Sequence, residues 1–340
     1  MPAPAHPDPD RWEPRRIAII GAGAMGTSLA AILGRVVPVV VVARNPERAA
    51  QLVRDGARTT GHIEARAAPI IVRRLDDLAS IGGASAIFVA TKTTAIPGVA
   101  ADLRPLLPRL ADQPAGLFVV SYQNGIEPGR QLMDLLAHPG VLRMVLGFGA
   151  TMHPTTGEVR VTLNAPPHAI GSIEPAHEPV CRAIAALLSR AGLETAYEPA
   201  IERRVWEKAV VNAAMNPVAA LVNAGIGPVL DSPASVIVER LLAEGAAVAR
   251  AEGLPLGEDY LAAARVLLRR ASDHTPSMVE DVRLGRESEV GQLNRQIIEH
   301  ARRVGVPTPT HEIINALIET FDWKVYHDAE HAPPTLPSHP

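Results

Sequence analysis

Cysteine is all but missing: Cys181 is the single one among 340 residues. One thiol cannot close an internal disulfide, which suits a reducing cytosol. Cys181 lies in the apolar helical pattern Val180 to Leu188, so it reads as core rather than as a reactive thiol. Aromatic residues make up only 3%, too few for the stacking platforms that hold single strands. The formal net charge is -3, with no compact run of Lys and Arg, which argues against a nucleic-acid surface. No apolar run reaches the length of a membrane span. The twelve histidines are scattered, and His274 and His311 have no partner at ligand spacing, so no metal set is expected.

What is present is the composition of an ordinary globular protein, 47% hydrophobic and 20% charged. The length is large for one core and implies two domains. Residues 1–14 hold Pro2, Pro4, Pro7, Pro9 and Pro14 and lack the apolar segment of a signal peptide; the end from Ala332 to Pro340 is also proline-rich. The expected organisation is a disordered tail (1–14), a nucleotide-binding domain (15–199), an all-helical domain (200–328) and a second tail (329–340). The boundary is placed near Glu198-Pro199-Ala200, where the period changes.

In the first domain, the apolar run Ile17 to Ile20 leads into Gly21-Ala22-Gly23-Ala24-Met25-Gly26 and then a helical pattern, Leu29 to Leu33, closed by Gly34. Strand, glycine turn and helix together form the dinucleotide fingerprint. Gly21 permits the tight turn, Gly23 lets backbone approach a pyrophosphate, and Gly26 lets the helix pack on the strand. The helix N-terminus offers N–H groups to the phosphates. A glycine turn without ligand is the plainer alternative. Val36 to Ala43 reads as a strand buried on both faces, ending in Arg44. An arginine there suits a 2′-phosphate, where an NAD site usually has an acid, so it favours NADP over NAD. A surface arginine at a strand end is the bland reading. Ala86 to Ala90 is another strand, after which Lys92 supplies a second charge near the same phosphate.

Leu117 to Val120 is a further strand, followed by Asn124-Gly125, for which a plain turn is sufficient explanation. Strands are expected at Val141 to Phe148, Glu158 to Leu163 and Ala169 to Ile173, a helix from Pro179 to Ala191, and an edge strand at Leu193 to Tyr197. The alternation predicts an α/β fold with a doubly wound, Rossmann-type parallel sheet, joined to an all-helical C-terminal domain.

Helices are expected over Ile201 to Val222, Ser235 to Ala251, Asp259 to Ala271, Ser277 to Leu284, Val290 to Val304 and Thr310 to Trp323. On the first, Lys208, Asn212 and Asn216 recur at intervals of four and share one face. Their neighbours Val205, Ala209, Val210, Ala213 and Ala214 are apolar, so the stripe looks into the protein or a cleft, where burial lowers the lysine pKa towards that of a useful acid. A solvated helix face is the alternative. Thr275-Pro276 resembles a cap followed by proline at the first helical position, and Ser277 adds a hydroxyl to free N–H groups suited to a carboxylate. Glu289 falls in the first turn of the next helix, where the dipole alone favours an acid; in the sharper reading it faces Lys208 across the domain cleft. Acid, amides, carboxylate seat and nicotinamide site together suggest hydride transfer to a small keto acid.

With these motifs the chain resembles the ketopantoate (2-dehydropantoate) 2-reductase family from about Arg16 to Thr320. The likeness is carried by the glycine turn, Arg44, Lys92, Gln123-Asn124-Gly125, the Lys208/Asn212/Asn216-Pro217 helix, Ser277-Met278 with Asp281, and Gly285-Arg286 with Glu289 and Asn294. The resemblance implies reduction of 2-dehydropantoate to pantoate with NADPH, for pantothenate and coenzyme A synthesis in the cytoplasm. It implies Lys208 as general acid assisted by Glu289, and Asn124, Asn212, Asn216 and Ser277 as substrate contacts. The implied cofactor set is Gly21, Ala22, Gly23, Ala24, Met25, Gly26, Arg44, Lys92, Asn124 and Glu289. Partners reduce to the small keto acid, with no nucleic acid and no membrane; a homodimer is left open.

The chain departs from the family pattern at Gly291 and Arg295. His274 stands where a further substrate asparagine is expected, and a third asparagine after the Lys208 helix is either Asn223 or replaced by Ile226. These changes loosen the choice of substrate. The alternatives are a reductase of another 2-keto or hydroxy acid on the same fold and, ranked below it, a non-catalytic NADP sensor.

Overall fold

The computed structural model describes residues 12–153 and 155–331. The chain divides into two compact units, Met1–Val205 and Trp206–Pro340, the division falling within the helix Ile201–Val222.

In the first unit the described strands are β1 (Ile17–Ile20), β2 (Val39–Val42), β3 (Ala57–Gly61), β4 (Ala65–Ala67), β5 (Ile70–Val72), β6 (Ala86–Val89), β7 (Phe118–Ser121), β8 (Val141–Val145), β9 (Phe148–Met152), β10 (Val159–Asn164), β11 (His168–Ser172) and β12 (Thr195–Tyr197). Eight of them form one sheet in the order β12-β11-β8-β7-β6-β1-β2-β5, parallel throughout except between β11 and β8. Alternate residues of the central strands feed two separate cores. Ile17, Ile19, Val39 and Val41 pack into one, while Ala18, Ile20, Val40 and Val42 pack into the other. A strand covered on both faces has no polar side, which is why these segments read as unbroken apolar runs. The sheet order reverses between β1 and β6, and both strands end at the same edge, beside the glycine turn. This is the α/β architecture expected from the sequence.

Several details differ. The strand expected from Val36 begins only at Val39, because the amides of Val36 and Val37 still bond back to Leu33 O at 3.0 and 3.1 Å. The single strand expected over Val141 to Phe148 is two, β8 and β9, which join different sheets. They part at Gly147, whose amide is held by His168 Nδ1 at 3.1 Å and whose carbonyl accepts from Ala165 N at 2.7 Å. Of the second sheet, β4-β3-β10-β9, the sequence reading held β10, expected as Glu158 to Leu163, but not β3 or β4, which are too short and mixed to show a period. Trp12 is buried, donates its indole N–H to Ser85 O at 3.2 Å and meets Phe118 edge-on. The tail expected over 1–14 therefore gives way to folded chain by Trp12, an indole being too large an apolar group to leave in water; residues 1–11 lie outside the described ones. At the other end the helix Pro309–His331 extends past residue 328, and 332–340 lie outside the described residues.

The described part of the second unit is helical. Ile201–Val222 and Ser235–Ala251 have the expected bounds; Glu258–Arg270, Ser277–Arg283, Asn294–Val304 and Pro309–His331 differ at their ends, and a short helix, Ile226–Asp231, is additional. Cys181 is buried and free, and burial pushes its thiol up to about 12, as a core residue should be. Among the described residues no helix is long and apolar enough to cross a membrane.

Candidate functional site

The turn after β1 leaves a helix end and its backbone uncovered. Gly21 has φ +112°, a conformation that suits glycine. A Cβ at Gly26 would lie 1.9 Å from Gly21 O, so the helix Ala24–Leu33 rests directly on the turn. At Gly23 a Cβ would meet nothing within 4 Å, leaving the backbone open on that side. Gly23 is also the N-cap and no side chain caps the helix, so its positive end is available to a phosphate. A cavity of about 1110 Å³ opens here, lined by Gly21, Ala22, Gly23 and Arg44 among others. Its size and its glycine floor fit a dinucleotide.

Arginines crowd the same cavity. Arg44 is exposed at the end of β2, and its carbonyl accepts from Arg73 Nη2 at 2.6 Å. Arg73 and Arg74 both line the space. Arg48 enters from the helix Pro46–Asp55, which Asn45 caps by accepting from Arg48 N at 2.8 Å. Its guanidinium donates to Ala22 O (3.0 Å), Thr27 Oγ1 (2.7 Å) and Gln51 Oε1 (2.6 Å), bracing the glycine turn. Burial holds that guanidinium below the ordinary arginine value. Sequence reasoning missed Arg48, Arg73 and Arg74, because arginines at element ends are common and carry no spacing signal.

The remaining expected cofactor residues are placed differently. Ala24, Met25 and Gly26 form the first helical turn. Lys92 is exposed ahead of the turn Thr93–Ala95, and neither it nor Asn124 lines the cavity.

Asn124 follows β7 and is partly exposed, on a turn held from beneath by a buried cation. Arg143, from β8, donates to Ser121 Oγ (3.3 Å), Gln123 O (2.7 Å) and Gly125 O (2.9 Å). Gln123 in turn accepts from Ser121 Oγ at 2.7 Å and donates to Val89 O at 2.9 Å, tying the ends of β7 and β6 together. Burial lowers the Arg143 pKa to about 10, so it stays charged at neutral pH; carbonyl dipoles engage Nη2, while Nε finds no partner. A lone arginine inside the apolar run of β8 was the available signal.

In the second unit, the stripe on Ile201–Val222 is visible in the burial pattern. Lys208, Asn212 and Asn216 are half-buried, while 209–211, 213–215 and 217–220 are buried. A polar row emerging from a covered stretch, with Arg203 and Arg204 exposed in the turn before it, is the arrangement the four-residue spacing predicted. Lys208 and Glu289 both belong to this unit, so a cleft between domains is not what separates them. Glu289 also stands just before the short turn Val290–Gln292 rather than inside a helical first turn. Beside it, Ser288 anchors the segment, its amide and hydroxyl both donating to Asp322 at 2.8 Å.

Ser277 is exposed and is the first residue of its helix, with Pro276 in the N-cap position. The Thr275 cap is thus corrected: no side chain caps this helix, and proline sits one place earlier than expected. His274 is half-buried with Nδ1 lacking a hydrogen-bond partner, and burial lowers its pKa. Asn223 is exposed in a left-handed conformation and accepts from Arg283, whereas Ile226 is buried.

Residues 17–173 match the family described as Ketopantoate reductase PanE/ApbA, and residues 200–322 match its C-terminal part. The chain belongs to the ketopantoate reductase family. A 2-dehydropantoate 2-reductase of Halobacterium salinarum is 26% identical over 304 residues, covering 86% of this chain and 94% of that one. The crystal structure of a PanE/ApbA family ketopantoate reductase from Ralstonia eutropha JMP134 has a TM-score of 0.79 at 24% identity, covering 92% and 100%. A D-mandelate dehydrogenase solved with NADH and anilino(oxo)acetate shares the fold equally well, with a TM-score of 0.79 at 20% identity and coverage of 92% and 99%. As a member of the ketopantoate reductase family, the chain is an oxidoreductase of the type that acts on a CH–OH group with a nicotinamide dinucleotide.

Proposed function

We propose that this chain reduces 2-dehydropantoate to pantoate with NADPH in the cytoplasm, residues 15–199 binding the dinucleotide and 200–328 carrying the catalytic groups. The observation that carries the reading is the half-buried row Lys208/Asn212/Asn216 on a helix whose other residues from 209 to 220 are all buried. A reduced nicotinamide, when bound, supplies the hydride. Lys208 gives its proton to the oxygen of the substrate carbonyl as that carbon is reduced, completing the CH–OH group. The amides of Asn212, Asn216 and Asn124 donate to substrate oxygens, and the Ser277 hydroxyl to its carboxylate. Glu289 keeps Lys208 charged and oriented and touches the cofactor. Gly21 to Gly26 and the helix behind them hold the pyrophosphate. Arg44 and Lys92 take the 2′-phosphate, and the arginines flanking Arg44 in the cavity support NADPH over NADH.

A second reading keeps the reaction and changes the substrate to another 2-keto acid. It is favoured by the half-buried, unpartnered His274 Nδ1 and by the buried apolar Ile226 in the substrate shell. Oxidation of NADPH, followed by absorbance over a panel of 2-keto acids and repeated with NADH, separates these. Turnover should be highest with 2-dehydropantoate and NADPH; a clear preference for a simpler keto acid would sink the first reading. Lys208→Ala should lower turnover by at least ~100-fold. A non-catalytic sensor would lose nothing measurable.

A further inference from the structure

The Lys208 helix has a fault in its middle. Pro217 lies inside Ile201–Val222 and has no amide hydrogen, so the carbonyl four residues earlier, Ala213 O, cannot receive its helical hydrogen bond. Ala213 is fully buried, so water does not repair the gap. It is also flanked by Asn212 and lies one turn before Asn216, where a change in helical geometry would redirect both amides.

A side chain fills the gap. Asn294, the first residue of the helix Asn294–Val304, donates Nδ2–H to Ala213 O at 2.9 Å. Its second Nδ2 hydrogen goes to His311 Nδ1 at 3.1 Å. The orientation of that amide follows from its neighbours. His311 Nε2 lies 3.0 Å from Leu241 O, and a carbonyl only accepts, so Nε2 carries the hydrogen and Nδ1 is the acceptor. Turned the other way, Asn294 would present Oδ1 to two acceptors. Oδ1 itself finds no partner, a cost set against two buried donor bonds. Both Asn294 and His311 are fully buried, and the amides of Thr310 and His311 are fixed by Glu244 at 3.1 Å. Four helices are thus tied at the one carbonyl that proline leaves open.

We propose that Asn294, oriented by His311, replaces the hydrogen bond that Pro217 cannot make and so sets the direction of Asn212 and Asn216 towards substrate. Asn294 is then a positioning residue for the reaction. The inference rests on the reading that the Lys208 helix carries the substrate contacts, though the hydrogen-bond substitution can be tested without it.

The test is a cycle of four proteins: the natural chain, Asn294→Leu, Pro217→Ala, and the double variant. Alanine at 217 restores an amide hydrogen for Ala213 O without adding bulk near position 294. Asn294→Leu should lower kcat about tenfold and the melting temperature by about 5 °C, with NADPH affinity unchanged. Adding Pro217→Ala should return kcat to within about threefold of the natural chain and recover most of the melting temperature. A loss of packing at position 294 would not be repaired by a change at 217, so absence of rescue overturns the proposal, as does an unaltered kcat in Asn294→Leu. If Asn294→Leu does not fold, recovery of folded protein in the double variant supports the substitution and continued failure refutes it. Melting needs no substrate. Coupling in melting with no keto-acid turnover would therefore fault the proposed function and not the hydrogen-bond substitution, whereas full activity loss in Lys208→Ala without coupling would fault only the substitution.

Discussion

The two units build their sites from different material. On the proposed reading, the groups that meet a ligand in the first are mainly backbone: the N–H groups of an uncapped helix and a glycine turn at a sheet edge. In the second, they are side chains set out along one helix by its pitch. The contrast extends to the supports. A backbone site is held by what it excludes, here any Cβ at Gly26, whereas a side-chain site depends on the helix beneath it staying regular. Pro217 breaks that regularity, and the carbonyl it leaves open, Ala213 O, is taken up by Asn294, 81 residues after Ala213. Asn124 falls between these types: a side chain on a turn, with the turn carbonyls held by Arg143.

The largest effect that would sharpen the contrast is on the backbone site. Gly26→Val places a Cβ carrying two methyl groups against Gly21 O, where even the Cβ alone comes within 1.9 Å. Dinucleotide binding, measured by calorimetry, should weaken by about 100-fold, roughly 3 kcal/mol of overpacking, while the second unit keeps its helical signal. Equal loss of structure in both units would break the comparison.

Next is Arg143→Met, which removes two donor bonds from the carbonyls of the Asn124 turn and one from Ser121 at the end of β7, but also a buried charge. The two effects oppose, and the stranded carbonyls outweigh the relief of desolvation, for a net cost of about 2–3 kcal/mol in denaturant unfolding. KM for the keto acid should rise more than that for NADPH. A neutral outcome in both would show that the turn holds itself.

The smallest effect concerns the support in the second unit. Burial lowers the His311 pKa to about 4 from an ordinary 6.5. Being depressed in the folded state, it makes a contribution that is complete above pH 6.5. As pH falls, the unfolded chain takes up the proton first, and stability drops until the folded pKa near 4 is reached. The difference between pH 7 and pH 5 should be about 2 kcal/mol. His311→Gln should flatten the slope by that amount, since every other titrating group is shared. An identical pH dependence in the two proteins would mean that His311 takes up protons equally in folded and unfolded chains.

How much of this was legible follows from the same physics. The glycine turn, the central strands and the Lys208 stripe each impose a local spacing, so they could be read directly. The second sheet could not, because β3 and β4 are short and take their order from β10 and β9, about a hundred residues later. Arg48 and Arg73 join the cavity by folding back onto Ala22 O and Arg44 O, contacts with no sequence period. Asn294 stood in the family motif without a role, since nothing near it in sequence refers to Ala213.

By itself the sequence determined which segments are doubly buried strands, where the glycine turn and its helix lie and which face of the Lys208 helix is polar, because each of these is a rule about neighbours within one or two turns. Only the tertiary structure decided how those groups are held. Arg143 under the Asn124 turn and Asn294 opposite Pro217 satisfy buried carbonyls from distant parts of the chain, and a buried polar group must be paired whichever residue supplies the partner.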